Sequence, residues 1–260
     1  MLQRRILITT MPEAIEGQLN ATERRLLTEA ILQASPKPRV AMEVGTWLGG
    51  GSTLHILRAL EQNGEGHLWG IEADRSIYER MLANLRTAAP EACQRFTPLF
   101  GFSQAVIPQW LREQGSEVSV DFAFLDGGNR PLEQIDEFRL LAPRIPVGGQ
   151  LMAHDAKLRK GKWLVPYLTR LDNWQTQLHD VSTEGLFYAR KTAAAPSAAS
   201  LRAARASLWR LRASPVEIAA AVLPSRVCGF FLRLLPSRLA WRLSDRSEEH
   251  TSELQSPNTI

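Results

Sequence analysis

Residues 40–60 constrain this chain more than any other stretch. Val40-Ala41-Met42-Glu43-Val44 is a short apolar run, the pattern of a strand buried on both faces. It breaks at Gly45-Thr46-Trp47-Leu48-Gly49-Gly50-Gly51 and restarts at Ser52-Thr53, ahead of the helical run Leu54 to Leu60. Ser52 or Thr53 can cap that helix by accepting a backbone N–H. A strand, a glycine turn and a helix N-terminus form a cradle in which a ligand can lie against bare backbone. From the glycines alone, an ordinary strand-to-helix turn is an equal reading. Glu43 tips the balance, because a carboxylate in an apolar strand is costly without a partner.

The same punctuation recurs downstream. His67-Leu68-Trp69-Gly70-Ile71-Glu72 reads as a second strand ending in an acid, at βαβ spacing from the first. A carboxylate at that point can bind two ribose hydroxyls. Arg95 to Phe100 reads as a third strand. Val118 to Asp126 is an apolar run ending in Asp126-Gly127-Gly128, and Gln150 to Ala153 is another ending in His154-Asp155. Helices are predicted over Thr22–Leu32, Ile77–Thr87, Ala105–Leu111, Pro131–Leu141 and Trp163–Leu171, and a closing strand pair over Trp174–Val181 and Gly185–Arg190. This alternation predicts an α/β fold with a Rossmann-like, mainly parallel sheet, an antiparallel closing strand and helices on both faces. Asp126 and Asp155 at neighbouring strand ends repel unless a proton or cation lies between them, and such an oxygen-rich pair suits a hard cation. His154 can be a ligand, a general base or a strand-end histidine without chemistry. Lys157-Leu158-Arg159-Lys160-Gly161-Lys162 follows as a basic loop, either solvated or steering an anionic substrate.

Glu43-x-Gly45-x-x-x-Gly49 resembles motif I of class I S-adenosylmethionine-dependent methyltransferases, and Val120-Asp121-x-x-Phe124-x-Asp126-Gly127 is similar to the family's motif IV. The resemblance covers roughly Ile15 to Lys191. It implies that Gly45, Thr46, Trp47, Gly49 and Ser52 wrap the methionine part of S-adenosylmethionine, with Glu43 holding its ammonium end. Glu72 then binds the ribose. Gly101-x-Ser103-Gln104 resembles the adenine-binding segment of catechol-type O-methyltransferases; Ser103 can also be a helix cap. The implied reaction is O-methylation of a small-molecule or sugar hydroxyl, with Asp126, His154 and Asp155 as catalytic groups and as ligands for Mg²⁺ or another divalent cation. Two departures stand against a catechol mechanism. Ala156 replaces the Asn of cation-dependent relatives, and Asn129 stands where the catechol enzymes carry a catalytic lysine. The chain is closer to the bacterial group related to cephalosporin-hydroxylase-like enzymes. A second enzyme reading is an NAD-dependent oxidoreductase, disfavoured by Glu43 and by the lack of G-x-G-x-x-G after the first strand. A cofactor-binding or membrane-docked protein without activity is the third.

Charge divides the chain unevenly. Residues 1–190 have a net charge of −1, whereas residues 191–245 have +7. The basic character therefore belongs to the tail and points to no nucleic-acid partner for the main domain. Two cysteines, Cys93 and Cys228, provide neither a disulfide framework nor metal spacing and suit a reducing cytoplasm. The first residues lack the apolar core of a signal peptide. We therefore divide the chain into a domain over 1–191, an Ala/Pro/Ser linker over 192–200, a basic amphipathic helical tail over 201–245 and residues 246–260. The last segment looks like translated sequencing adapter and is expected to carry no packed structure. The tail can lie on the inner membrane face, pack on the domain or join two copies as a homodimer.

Overall fold

A computed structural model describes residues 15–210. In chain order the strands are β1 (Val40–Val44), β2 (His67–Glu72), β3 (Phe96–Phe100), β4 (Phe122–Leu125), β5 (Gln150–Ala153), β6 (Trp174–His179) and β7 (Leu186–Lys191). The helices are α1 (Ala21–Leu32), α2 (Thr53–Asn63), α3 (Arg75–Ala88), α4 (Ser103–Gln114), α5 (Pro131–Leu141), α6 (Leu164–Leu168) and α7 (Ala198–Arg210). The seven strands form one sheet in the order β3-β2-β1-β4-β5-β7-β6, parallel except that β7 runs against both its neighbours. This is the predicted mainly parallel, Rossmann-like sheet with its antiparallel closing strand.

The period-two alternation of each strand divides the interior in two. Met42 and Val44 of β1 pack with Ala123 and Leu125 of β4 and with Ile107, Trp110, Ile135 and Phe138 from α4 and α5. Ala41, Phe122 and Phe124 face the other way, onto Leu27 and Ile31 of α1 and Leu54, Ile56, Leu57 and Leu60 of α2. Each large side chain removed from water in this way contributes about 1.5–3 kcal/mol. The alternation also decides where Glu43 goes. It lies between Met42 and Val44, so it turns toward α2 and is fully buried.

The strand order reverses between β1 and β4, and parallel sheets open a crevice at such a switch point, outside the carboxyl ends of the strands. Gln134 of α5 fixes that edge: its Nε2 donates to the carbonyl of His154 at 3.1 Å and to that of Leu125 at 3.4 Å. The ends of β4 and β5 are thereby tied together. The leading segment closes over the same edge. Gly17 meets Gly50 and Gly51 backbone to backbone, and a Cβ at Gly17 would lie 2.3 Å from the Gly50 carbonyl carbon.

Three local expectations change. α6 covers only Leu164–Leu168 of the predicted Trp163–Leu171 helix, and β4 begins at Phe122 rather than Val118. α7 begins inside the stretch expected to be a linker. Asp172 Oδ1 accepts from Ser197 N at 2.9 Å and from Ser200 Oγ at 2.7 Å, which caps the new helix from a distant loop. Ala204 and Leu208 are buried in the core beside α6, so the start of the basic tail packs on the domain. The rest of the tail, with its expected membrane or dimer contact, and the adapter-like segment lie outside the described residues. Among the described residues no helix is long and apolar enough to cross a membrane.

Candidate active site

A cleft of about 290 Å³ opens at the switch point. Gly45 and Trp47 of the glycine turn, Glu72 at the end of β2, Ser103 and Gln104 at the start of α4, and Asp126 after β4 all line it. Gln18, Phe102 and Glu137, which sequence reasoning missed, line it too. Gly45 has φ 86°, and a Cβ there would lie 2.4 Å from the Asp126 carbonyl oxygen, so this position needs glycine both for conformation and for room. Trp47 holds φ 45°, a conformation side chains other than glycine avoid. Its N–H is thereby aimed at Glu72 Oε2, 2.9 Å away, while Glu72 Oε1 accepts from the N–H groups of Ala73 and Asp74 at 2.9 and 3.0 Å. Three backbone donors fix the carboxylate at the cleft wall.

Glu43, Thr46, Gly49 and Ser52 do not line the cleft; they lie behind the turn. Gly49 faces Leu85 and Met81 of α3, and Thr46 packs under Gly70. The expected helix cap by Ser52 is absent. Ser52 has helical backbone angles, and its hydroxyl donates to Glu43 Oε1 at 2.5 Å instead. Thr53 does not cap either, its hydroxyl reaching back to the Thr46 carbonyl at 3.4 Å. Ser103 is likewise the first helical residue rather than the cap, and its hydroxyl donates to Glu137 Oε1 at 2.7 Å.

Burial pushes the carboxyls of Glu43 and Glu137 up to about 8, only partly offset by the hydroxyls of Ser52 and Ser103. Glu43 thus meets the cost of its position by holding its proton, not by pairing with a cation. One oxygen of each, Oε2, has no hydrogen-bond partner. A carboxyl whose folded pKa lies above its ordinary value of 4.5 contributes stability that is full below that value and is lost as pH rises through about 8. The ligand-free protein is therefore expected to lose at least about 3 °C of Tm between roughly pH 6 and pH 9 at constant salt. Differential scanning calorimetry checks this, and a flat profile would mean that the two acids are already ionised.

Beside the cleft, the structure brings together the three residues expected to do chemistry. Asp126, His154 and Asp155 offer ligand atoms within 4.8 Å of one another. The basic loop after β5 joins them unexpectedly. Lys160 was read as a solvated or substrate-steering charge, but only 3% of its surface is exposed. Its Nζ donates to Asp126 Oδ1 at 2.6 Å and to Asp155 Oδ2 at 3.1 Å. The backbone makes this possible. Asp155 has φ 58°, the N–H groups of Leu158 and Gly161 return to its carbonyl, and Gly161 lies so close to Ala156 that a Cβ would fall 2.4 Å from the Ala156 oxygen.

His154 is enclosed by acids. Its Nδ1 lies 3.5 Å from Asp126 and 3.4 Å from Asp155, and its Nε2 lies 3.5 Å from Glu23 of α1. Neither ring nitrogen is aligned for a hydrogen bond, so the pairing is one of charge. Burial works against the charged ring, but the three carboxylates outweigh it and carry its pKa to about 9. The surrounding acids thus favour the imidazolium, a form with no lone pair to accept a proton. Burial likewise works to raise the Asp126 carboxyl, and Lys160 and His154 together hold it below the usual carboxylate range. Glu23 is anchored in turn by the Ser182 hydroxyl at 2.6 Å and by the N–H of Asn20 at 2.9 Å.

The family model described as "Methyltransferase domain" matches residues 42–156, which span β1 to the loop after β5. Residues 42–156 thus carry the sequence pattern of a methyltransferase domain. The motifs that suggested it, at Glu43–Gly49 and Val120–Gly127, both fall inside the match. No curated protein sequence matches this chain. Similar solved structures include the O-methyltransferase TomG from Streptomyces achromogenes, involved in tomaymycin synthesis, in complex with SAM. It is 20% identical with a TM-score of 0.56, covering 68% of this chain and 82% of that one. An O-methyltransferase from Bacillus cereus in complex with SAH is 16% identical with a TM-score of 0.55, covering 70% and 84%. A methyltransferase from Geobacter sulfurreducens is 17% identical with a TM-score of 0.53, covering 67% and 80%. At these identities the likeness is one of fold.

Proposed function

We propose that this methyltransferase moves the methyl group of S-adenosylmethionine to a hydroxyl oxygen of a small molecule, a sugar among the candidates. The observation that carries the reading is the cleft itself: Gly45, Glu72, Ser103 and Asp126, at the ends of four successive strands, face one space. Their chemistry fits the cofactor. Glu72, held by three backbone donors, keeps one of its four lone-pair sites, on Oε2, for a ribose hydroxyl. Phe102, 72% exposed on the same cleft, offers a flat apolar face to the purine. Gln104 and Glu137, which line the cleft beside Phe102, are the polar side chains nearest such a purine edge. Glu43 is read as bracing the glycine turn from behind, not as touching the cofactor.

When bound, the sulfonium supplies an electrophilic methyl carbon and a neutral thioether leaving group. Attack by a substrate oxygen would form the C–O bond as the C–S bond breaks, leaving the electron pair on sulfur and the hydroxyl proton for a base of this chain to take. Catalysis of such a step is mostly positioning. The carboxylates of Asp126 and Asp155 are the groups placed to accept the proton, because His154 and Lys160 already carry theirs. A divalent ion does not fit between the two acids in this arrangement, since an ammonium already lies there. The reaction read here has no metal step. Isothermal calorimetry with S-adenosylhomocysteine tests the cofactor, and a methyl-transfer assay across hydroxylated acceptors tests the reaction. One-to-one binding is expected; absence of binding would overturn the reading.

A further inference from the structure

Resting on that reading, the acid cluster raises a separate question: which positive charge does it hold? We propose that Lys160 is the built-in cation of this methyl-transfer site, filling the position between Asp126 and Asp155 that a divalent ion would otherwise take.

The cluster has the spacing of a cation site, with ligand atoms of Asp126, His154 and Asp155 inside 4.8 Å. Two carboxylates so close require a countercharge. The chain supplies it from within. The Lys160 side chain is 4% exposed, and its ammonium touches an oxygen of each acid. Two backbone features shape the loop that delivers it. Asp155 takes a left-handed conformation, so the chain turns back at once, and Gly161 permits a backbone approach to Ala156 that any side chain would block. Ala156 itself adds no oxygen to the set. Two of the three ammonium N–H groups face the acids. The third can donate to an acceptor oxygen beside Asp126, the member of the pair that also lines the cleft. An acceptor hydroxyl bound at Asp126 would then lie next to an ammonium, where a metal-dependent site would present an ion.

Mn²⁺ binding, followed by electron paramagnetic resonance and calorimetry on the full chain, tests this without any acceptor. The wild type is expected to show no stoichiometric Mn²⁺ site. Lys160→Ala is expected to gain one, at least about 10-fold tighter than any wild-type binding, and Asp155→Asn in the same background should remove it. Lys160→Met, which keeps the stem and removes only the charge, carries the same measurement if the alanine variant does not fold. One Mn²⁺ bound to the wild type and lost on Asp155→Asn would overturn the proposal. So would the absence of binding in both lysine variants, which would make Lys160 a structural ion pair only. S-adenosylhomocysteine affinity measured on the same wild-type sample separates the two levels. Binding of both ligands overturns the lysine proposal alone, and failure to bind S-adenosylhomocysteine overturns the cofactor reading and this proposal with it.

Discussion

Glu72→Ala is expected to weaken S-adenosylhomocysteine binding about 100-fold, or about 3 kcal/mol, measured by calorimetry. Hydrogen bonds to a charged group contribute about 1.5–3 kcal/mol each, and the one lone-pair site that the backbone leaves free on Glu72 can accept one from a ribose. Some of the loss arises within the protein. Without the carboxylate, the N–H groups of Trp47, Ala73 and Asp74 lose their acceptor, and the left-handed Trp47 loses the bond that rewards its conformation. Glu72→Gln separates the contributions. It keeps the acceptor oxygen and removes the charge, so it should lose roughly 10-fold. Unchanged affinity in Glu72→Ala would place the ribose elsewhere and break the link between the second strand and the cofactor.

The strand-end acids were legible because each is announced by its own strand. An acid that closes a run of four to six apolar residues has few places to go in a parallel sheet. Glu72, Asp126 and Asp155 accordingly fall on the carboxyl edge, as the spacing predicts. The fold was legible for the same reason. What the sequence could not disclose are contacts made by folding back. Four cations fall within Lys157 to Lys162, and nothing local distinguishes Lys160 from the others. Its burial depends on the backbone at Asp155 and on the absence of a Cβ at Gly161, both of which act through three-dimensional closure. Glu23 and Glu137 sit in amphipathic helices where an acid normally marks the wet edge, yet both are 1% exposed because a partner hydroxyl from another element meets each one. Ser52 misled the reading in the opposite sense. The residue type is right for a cap, but a protonated Glu43 beneath the turn competes for its hydroxyl. The Ala- and Ser-rich stretch before α7 lacks any apolar period until Leu201, and the cap that starts the helix belongs to Asp172, far back in the chain.

Asp126→Ala is expected to be the most destabilising change at the site, by about 3–5 kcal/mol, because it leaves the buried Lys160 ammonium with one acid instead of two and removes a neighbour of the His154 ring. For a chain of this size that is a fall in Tm of about 10 °C. Removing both members of the pair should cost less than removing the acid alone. In Asp126→Ala with Lys160→Met, no uncompensated ammonium remains, and a methionine stem can fill the same path to the site. The double variant is therefore expected to be more stable than Asp126→Ala, with a coupling energy of about 1–3 kcal/mol in a double-mutant cycle run by denaturant unfolding. The sign separates an ion pair from simple packing. If Lys160 and Asp126 were neighbours without electrostatic dependence, the two losses would add and the double variant would be the least stable of the three. The cycle also bears on chemistry. An ammonium that depends on Asp126 for its place cannot be oriented toward an acceptor once that carboxylate is gone, so Asp126→Ala should lose turnover even in preparations that remain folded and still bind S-adenosylhomocysteine.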